Sequence, residues 1–204
     1  QTELWRSLPS EVRRADPLLI QYSGNMGLWH NIDGIVEAAK LLEDLPIHFL
    51  MIGDGRRKAE AMRYAKELEL LNMTWLPFQP LDQLTDSLQC AHLSLVSQRD
   101  ELLGIMVPSK FYGILASGRG VIAQVPKSSE VALTIEESQC GLVLYKQTSQ
   151  HLAECIREVY PQRVRIKKMG QAAHHIYSNR YSFHRAVESF YNHLTDHMKQ
   201  ESNG

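Results

Sequence analysis

The feature that most constrains this chain is an alternation of short, continuously apolar runs with segments of helical periodicity. The runs are Pro17–Tyr22, Ile47–Ile52, Met73–Leu76, His92–Val96, Gly120–Val125 and Gly141–Tyr145. The helix-like segments are Ile32–Leu42, Arg57–Leu70, Leu81–Leu88, Ser109–Ala116, Ser129–Glu137 and Ser149–Tyr160. In the first of these, Ile32, Ile35, Val36, Ala39 and Leu42 share one helical face. A strand that is apolar throughout, rather than at every second residue, is buried on both faces, as in a parallel sheet. Six such alternations predict an α/β fold: a parallel sheet of about six strands covered by helices on both faces. Nothing after Tyr145 reads as strand. The last forty-odd residues are helical and amphipathic and break near Ser178–Asn179. Phe183, Val187, Phe190, Tyr191 and Leu194 make one face of the final helix. The expected organisation is one α/β unit over 1–160 and a helical extension over 161–204.

Composition narrows the function classes. The 204 residues suffice for a full core, and the formal charge of −1 argues against a nucleic-acid binder, which carries a basic excess. No apolar run approaches the ~20 residues of a membrane span. The opening Gln1-Thr2-Glu3-Leu4-Trp5 lacks the basic and apolar regions of a secretion signal and reads as a chain already in progress. Cys90, Cys140 and Cys155 show no C-x-x-C spacing and suit small core hydrophobes in a reducing cytoplasm. There is no Asp-x-Asp and no His/Cys ligand set, so no metal is expected. His174 and His175 are adjacent, point about 100° apart on a helix, and read as surface or packing residues.

In an open parallel sheet, ligands sit beyond the carboxyl ends of the strands, so the turns leaving each strand are where chemistry is sought. The first, Tyr22 to Asn31, has glycines at 24 and 27 that allow close backbone approach or simply a tight turn. Asn31 or Asp33 can cap the next helix, and His30 reads as an exposed loop residue. The second turn brings Arg56, Arg57 and Lys58 to a helix start, where cations oppose the macrodipole; any of the three can meet a phosphate. The third, Pro77-Phe78-Gln79, is stiff. Its backbone can read a base edge with Phe78 as an apolar wall, or Phe78 can plug the core. The fourth runs Gly104 to Gly113. Ser109 opens a helix whose first free N–H groups form an anion site, and Lys110 adds a full charge. It is not a Walker A loop. The fifth brings Glu130 to a helix start, where a carboxylate can accept from ribose hydroxyls or serve the macrodipole.

The run Val107-Pro108-Ser109-Lys110-Phe111-Tyr112-Gly113-Ile114-Leu115-Ala116-Ser117-Gly118-Arg119-Gly120-Val121-Ile122-Ala123 resembles the signature P-S-K-x-Y-x-I-x-A-x-G-R-P-V-I-A of a bacterial branch of glycosyltransferase family 4. Tyr22–Gly27, Ile52–Gly55, and Ser129–Ala132 with Cys140–Val143 are similar to its lesser motifs. The resemblance implies a GT-B enzyme, with two Rossmann-like domains and a cleft between them, of which this chain looks like the C-terminal, nucleotide-sugar-binding half. It implies metal-free, retaining transfer from a nucleotide sugar, usually a UDP-sugar such as UDP-glucose or UDP-N-acetylglucosamine. The acceptor is then a glycan or lipid-linked glycan, held by an N-terminal domain of the same polypeptide. The setting is cytoplasmic, with peripheral membrane contact through that domain. The isolated half is expected to bind donor and scarcely turn over.

By position, the resemblance assigns diphosphate binding to Gly27, Val107, Pro108, Ser109 and Lys110, with Lys110 also stabilising the leaving group; the family's first-turn arginine has no counterpart here, and Arg56 or Lys58 is expected to compensate at the diphosphate. It assigns the base to Pro77, Phe78 and Gln79, and the face toward the donor sugar to Asn25, Met26, Ile105 and Met106. The family's E-x7-E pair is absent, because its positions are Ile105 and Gly113 here, so Glu130 is the expected ribose partner. That loss also keeps two other readings in view: a non-catalytic nucleotide-sugar-binding domain, and an epimerase of the same fold.

Overall fold

The computed structural model describes residues 2–98, 104, 108–188, 190, 191 and 193. All six apolar runs become strands: β1 (Leu18–Ser23), β2 (Ile47–Ile52), β3 (Met73–Leu76), β4 (Leu93–Ser97), β5 (Gly120–Gln124) and β6 (Gly141–Leu144). They form one all-parallel sheet in the order β3-β2-β1-β4-β5-β6. The expected fold class is therefore the one the chain adopts.

Two short helices, α1 (Glu3–Ser7) and α2 (Ser10–Ala15), precede the sheet. Segments this short carry too few apolar positions to show a helical period in the sequence. The crossovers are α3 (Ile32–Lys40), α4 (Lys58–Glu67), α5 (Leu84–Cys90), α6 (Lys110–Ala116) and α7 (Glu130–Ser138). A 3-10 turn, Leu81–Gln83, leads into α5. After β6 come α8 (Ser149–Val159), α9 (Arg163–Ile176) and a π turn, Tyr177–Tyr181, where the break near Ser178–Asn179 was expected.

Strand side chains divide by the period of two. Leu18, Ile20 and Tyr22 of β1 join Phe49 and Met51 of β2 under α3 and α8. Leu19, Leu50 and Ile52 face the other way and are covered by Leu4 and Leu8 from the N-terminal helices. Across the sheet, Val121 and Ala123 of β5 pack with Phe111, Ile114 and Leu115 of α6 and Val131 and Ile135 of α7. Each such fully buried aliphatic side chain contributes ~1.5–3 kcal/mol. α9 joins both clusters: Ile166 and Met169 are buried with the β1–β2 core and Ala173 with the β5 core.

His48 is a polar intrusion into the core that is satisfied locally. His48 interrupts β2, lies 2.8 Å from the Thr74 hydroxyl of β3, and is pushed down by burial to about 4, so it is neutral. The cysteines are free thiols. Cys140 is fully buried as expected, whereas Cys90 and Cys155 are only half-buried.

Candidate functional site

The sheet opens between β1 and β4. These strands pair only over Ile20–Leu93 and Gln21–Ser94, whereas β1 and β2 pair over six positions. The chain leaving β1 passes to α3 on one face, and the chain leaving β4 passes to α6 on the other. This is the topological switch point at which open α/β sheets bind ligands. A cleft of about 550 Å³ lies there, with Gly24, His30, Phe78, Ser97, Lys110 and Gly113 among its lining residues.

Lys110 dominates the electrostatics of this cleft. A lysine at a helix start is ordinarily an exposed charge. Instead, the Lys110 ammonium is buried, without a hydrogen-bond partner among the described residues, 3.7 Å above the centre of the Tyr22 ring. The ring face offers a cation–π contact but no acceptor. Burial pushes the Lys110 amine down to about 7. The residue fits because position 24 is glycine: a Cβ there would stand 3.0 Å from Lys110 Cε and Nζ, and Gly24 has φ +143°. Tyr22 is held in turn by donating its hydroxyl to the Asn25 carbonyl, 2.7 Å away.

His30 sits beside this pair. Its ring meets Tyr22 edge-on, with centroids 5.9 Å apart. Nδ1 lies 2.9 Å from the Ser97 carbonyl. A carbonyl only accepts, so the ring proton is on Nδ1 and Nε2 presents a lone pair. Burial, and then the Lys110 charge, hold the imidazole below its usual value. The cleft thus contains two depressed bases and, among the described lining residues, no carboxylate, which suits an incoming anion.

The other expected site residues fall into three groups. Asn25, Gly27, Phe78, Pro108, Ser109 and Lys110 line the cleft together. Phe78 is 57% exposed, so it is a wall rather than a core plug. Pro77 and Gln79 flank it, with the Gln79 amide donating to the Pro77 carbonyl. Ile105, Met106 and Val107 lie outside the described residues.

The remaining expectations are corrected. Met26 was expected to face the donor sugar, but it is fully buried in the core under α3. The basic cluster after β2 is largely used internally: Arg57 pairs with Asp33, and Lys58 donates to the Gly53 carbonyl at 2.6 Å. Only Arg56 remains exposed, and it does not line the cleft. Glu130 accepts from the Tyr181 hydroxyl at 2.9 Å and lies 3.9 Å from Arg180, so its carboxylate is engaged by the C-terminal segment rather than by the cleft. Of the two cap candidates, Asn31 caps α3.

Sequence reasoning missed His30, Trp29, Ser97 and Gln98, all of which line the cleft. His30 directly precedes Asn31, the N-cap of α3, in the turn leaving β1, and that proximity to the sheet edge was the signal available.

A model of the family described as glycosyl transferases group 1 matches residues 5–176. The chain belongs to this family. It is 32% identical over 118 residues, 58% of its length, to WcaI, an Escherichia coli (strain K12) protein named for glycosyl transfer in colanic acid biosynthesis. It is 24% identical over 172 residues, 84% of its length, to WbjE of Pseudomonas aeruginosa, named as a glycosyltransferase. The chain spans only 29% and 42% of these two curated relatives. Among solved structures, HepE of Anabaena in complex with UDP and glucose superposes with a TM-score of 0.79 at 15% identity, covering 96% of this chain and 52% of that one. The fold is that of the Rossmann-like halves of GT-B glycosyltransferases.

Proposed function

We propose that this chain is the C-terminal, donor-binding domain of a family 4 glycosyltransferase, and that its cleft holds the UDP half of an activated sugar. The observation that carries this reading is the buried, unpartnered Lys110 ammonium at the switch point. A buried cation without a partner costs several kcal/mol, and a diphosphate supplies the missing anion. The UDP bound in the HepE structure supports the choice of ligand.

In the reaction, the bond between the anomeric carbon and the β-phosphate oxygen breaks, and negative charge grows on the leaving UDP. Lys110 and the backbone entering α6 are in place before that charge develops. Removing one such preorganised donor typically costs about 3–4 kcal/mol. No divalent ion is required in this scheme, because Lys110 takes the neutralising role. Phe78 walls the base, and Asn25 and Gly27 face the diphosphate and sugar. The His30 Nε2 lone pair accepts from a donor hydroxyl. Transfer is retaining, and the acceptor, a cell-surface glycan or its lipid-linked precursor, is held by a separate N-terminal domain at the cytoplasmic face of the membrane. The name of WcaI supports that class of product. Among the described residues no helix is long and apolar enough to cross a membrane. Because α9 packs against this domain's own sheet, the segment that would brace the second domain begins after Tyr181, where Phe183 and Val187 are exposed.

Calorimetry with UDP, GDP and ADP tests the reading. UDP binds most tightly, and Lys110→Ala weakens it at least tenfold. Equal affinity of Lys110→Ala and the unaltered chain for UDP refutes the assignment.

A further inference from the structure

The opposite edge of the sheet carries a second concavity, of about 780 Å³, that donor binding leaves unused. It lies where the strands begin, about one strand length, ~15–18 Å, from the cleft. This size is within the usual range for pockets that take small organic ligands.

One wall is a single face of α9, on which Arg163, Lys167, Gly170 and His174 recur at helical spacing. The other wall is the turn from α6 into β5, with Gly118 and Arg119, and His92 lies just before β4. The walls meet where α9 seats against the turn: a Cβ on Gly170 would stand 2.4 Å from the Gly118 carbonyl oxygen.

The chemistry of the lining is one-sided. Arg119, Arg163 and Lys167 form no ion pair among the described residues. Asp16 is the lone carboxylate in the lining. Arg119 donates Nη2 to the Gln89 carbonyl at 2.6 Å and leaves Nε buried without a partner. His92 Nδ1 accepts from the Leu19 amide at 2.9 Å, so the neutral ring carries its proton on Nε2 and presents a donor. Burial, then Arg163 and Arg119, hold this imidazole below its usual value. A concave set of forked and ammonium donors with one acceptor suits a phosphoryl group. Gln171 and the aliphatic stems of Arg163 and Lys167 leave room for a hydroxylated body beyond it.

We propose that this cavity binds a phosphate ester of sugar size, at a site separate from the donor cleft. The test titrates the 204-residue chain with a hexose 6-phosphate, and in parallel with inorganic pyrophosphate, while UDP is held in excess. Amide NMR shifts locate the binding. The expected result is movement of the Gly118, Gly170 and Gln171 amides with Gly24 unaffected. The double variant Arg163→Gln/Lys167→Gln weakens binding by roughly tenfold. Both positions are exposed, and a thermal melt confirms that the variant folds. Three outcomes overturn the proposal: no shift at these amides at millimolar ligand, unchanged affinity in the double variant, or binding only to phosphatidylglycerol vesicles with no response to the soluble phosphates. Failure of UDP itself to move Gly24 sinks the donor assignment and leaves this test intact.

Discussion

Raising the pH from 7 to 9 should weaken UDP binding steeply, and Lys110 is the reason. Burial places its amine near 7, so the free chain is about half protonated there. An anion bound beside it favours the charged form and restores the ordinary lysine value. Binding therefore takes up protons and is favoured at lower pH. If only the charged form binds, the competent fraction falls from about one half at pH 7 to about 1% at pH 9, roughly a 50-fold loss of affinity, or ~2.3 kcal/mol. His30 starts below its usual value and is neutral across this range. The phosphate is ionised throughout, because its second ionisation lies near ~6. Calorimetry in buffers of different ionisation enthalpy should show uptake of ~0.5 proton at pH 7 and ~0.9 at pH 8. Lys110→Met should abolish the uptake. An affinity constant within twofold from pH 7 to 9, with no proton uptake, refutes the account.

Four further outcomes follow from the same geometry. Lys110→Met should stabilise the ligand-free chain by ~2–4 kcal/mol in urea unfolding while removing UDP binding. The free chain itself should gain stability from pH 7 toward 10, because the unfolded lysine holds a proton that the folded one has lost. Gly24→Ala puts a Cβ against Lys110 Nζ at φ +143°; calorimetry should show UDP affinity down about tenfold, with ~1–2 kcal/mol lost in unfolding. Phe78→Ala should weaken UDP by ~1–2 kcal/mol through lost apolar contact but leave pyrophosphate affinity unchanged, since in the proposed donor pose the ring walls only the base.

The sheet was legible in the sequence because burial on both faces writes itself as unbroken apolar runs. The cleft was legible because its position follows from strand direction, which the alternation implies. Side-chain commitments were not legible. Arg57 finds Asp33, 24 positions away, and Glu130 finds Tyr181, 51 positions away; no local pattern announces such partners. Lys110 was identified by its motif, but its burial over Tyr22 depends on two segments far apart in sequence, the β1 turn and the start of α6, meeting. Met26 follows the same rule in reverse: a loop position reads as exposed until the fold turns it inward.

The short β1–β4 pairing has a mechanical consequence. Strands β3, β2 and β1 come from the first part of the chain, and β4, β5 and β6 from the later part, so the sheet consists of two halves, each contiguous in sequence. Their seam holds only two registered residue pairs, reinforced by the Gln21 side chain, which donates to the Leu88 carbonyl and to Ser94. The donor cleft straddles that seam, with Gly24 and His30 on one side and Lys110 on the other. A ligand bridging them acts as a staple across the weakest line of the sheet. Hydrogen exchange along β1 and β4 should therefore slow more on ligand binding than exchange along β2 or β5. Occupancy of the cleft becomes a measure of whether the two halves have closed on each other.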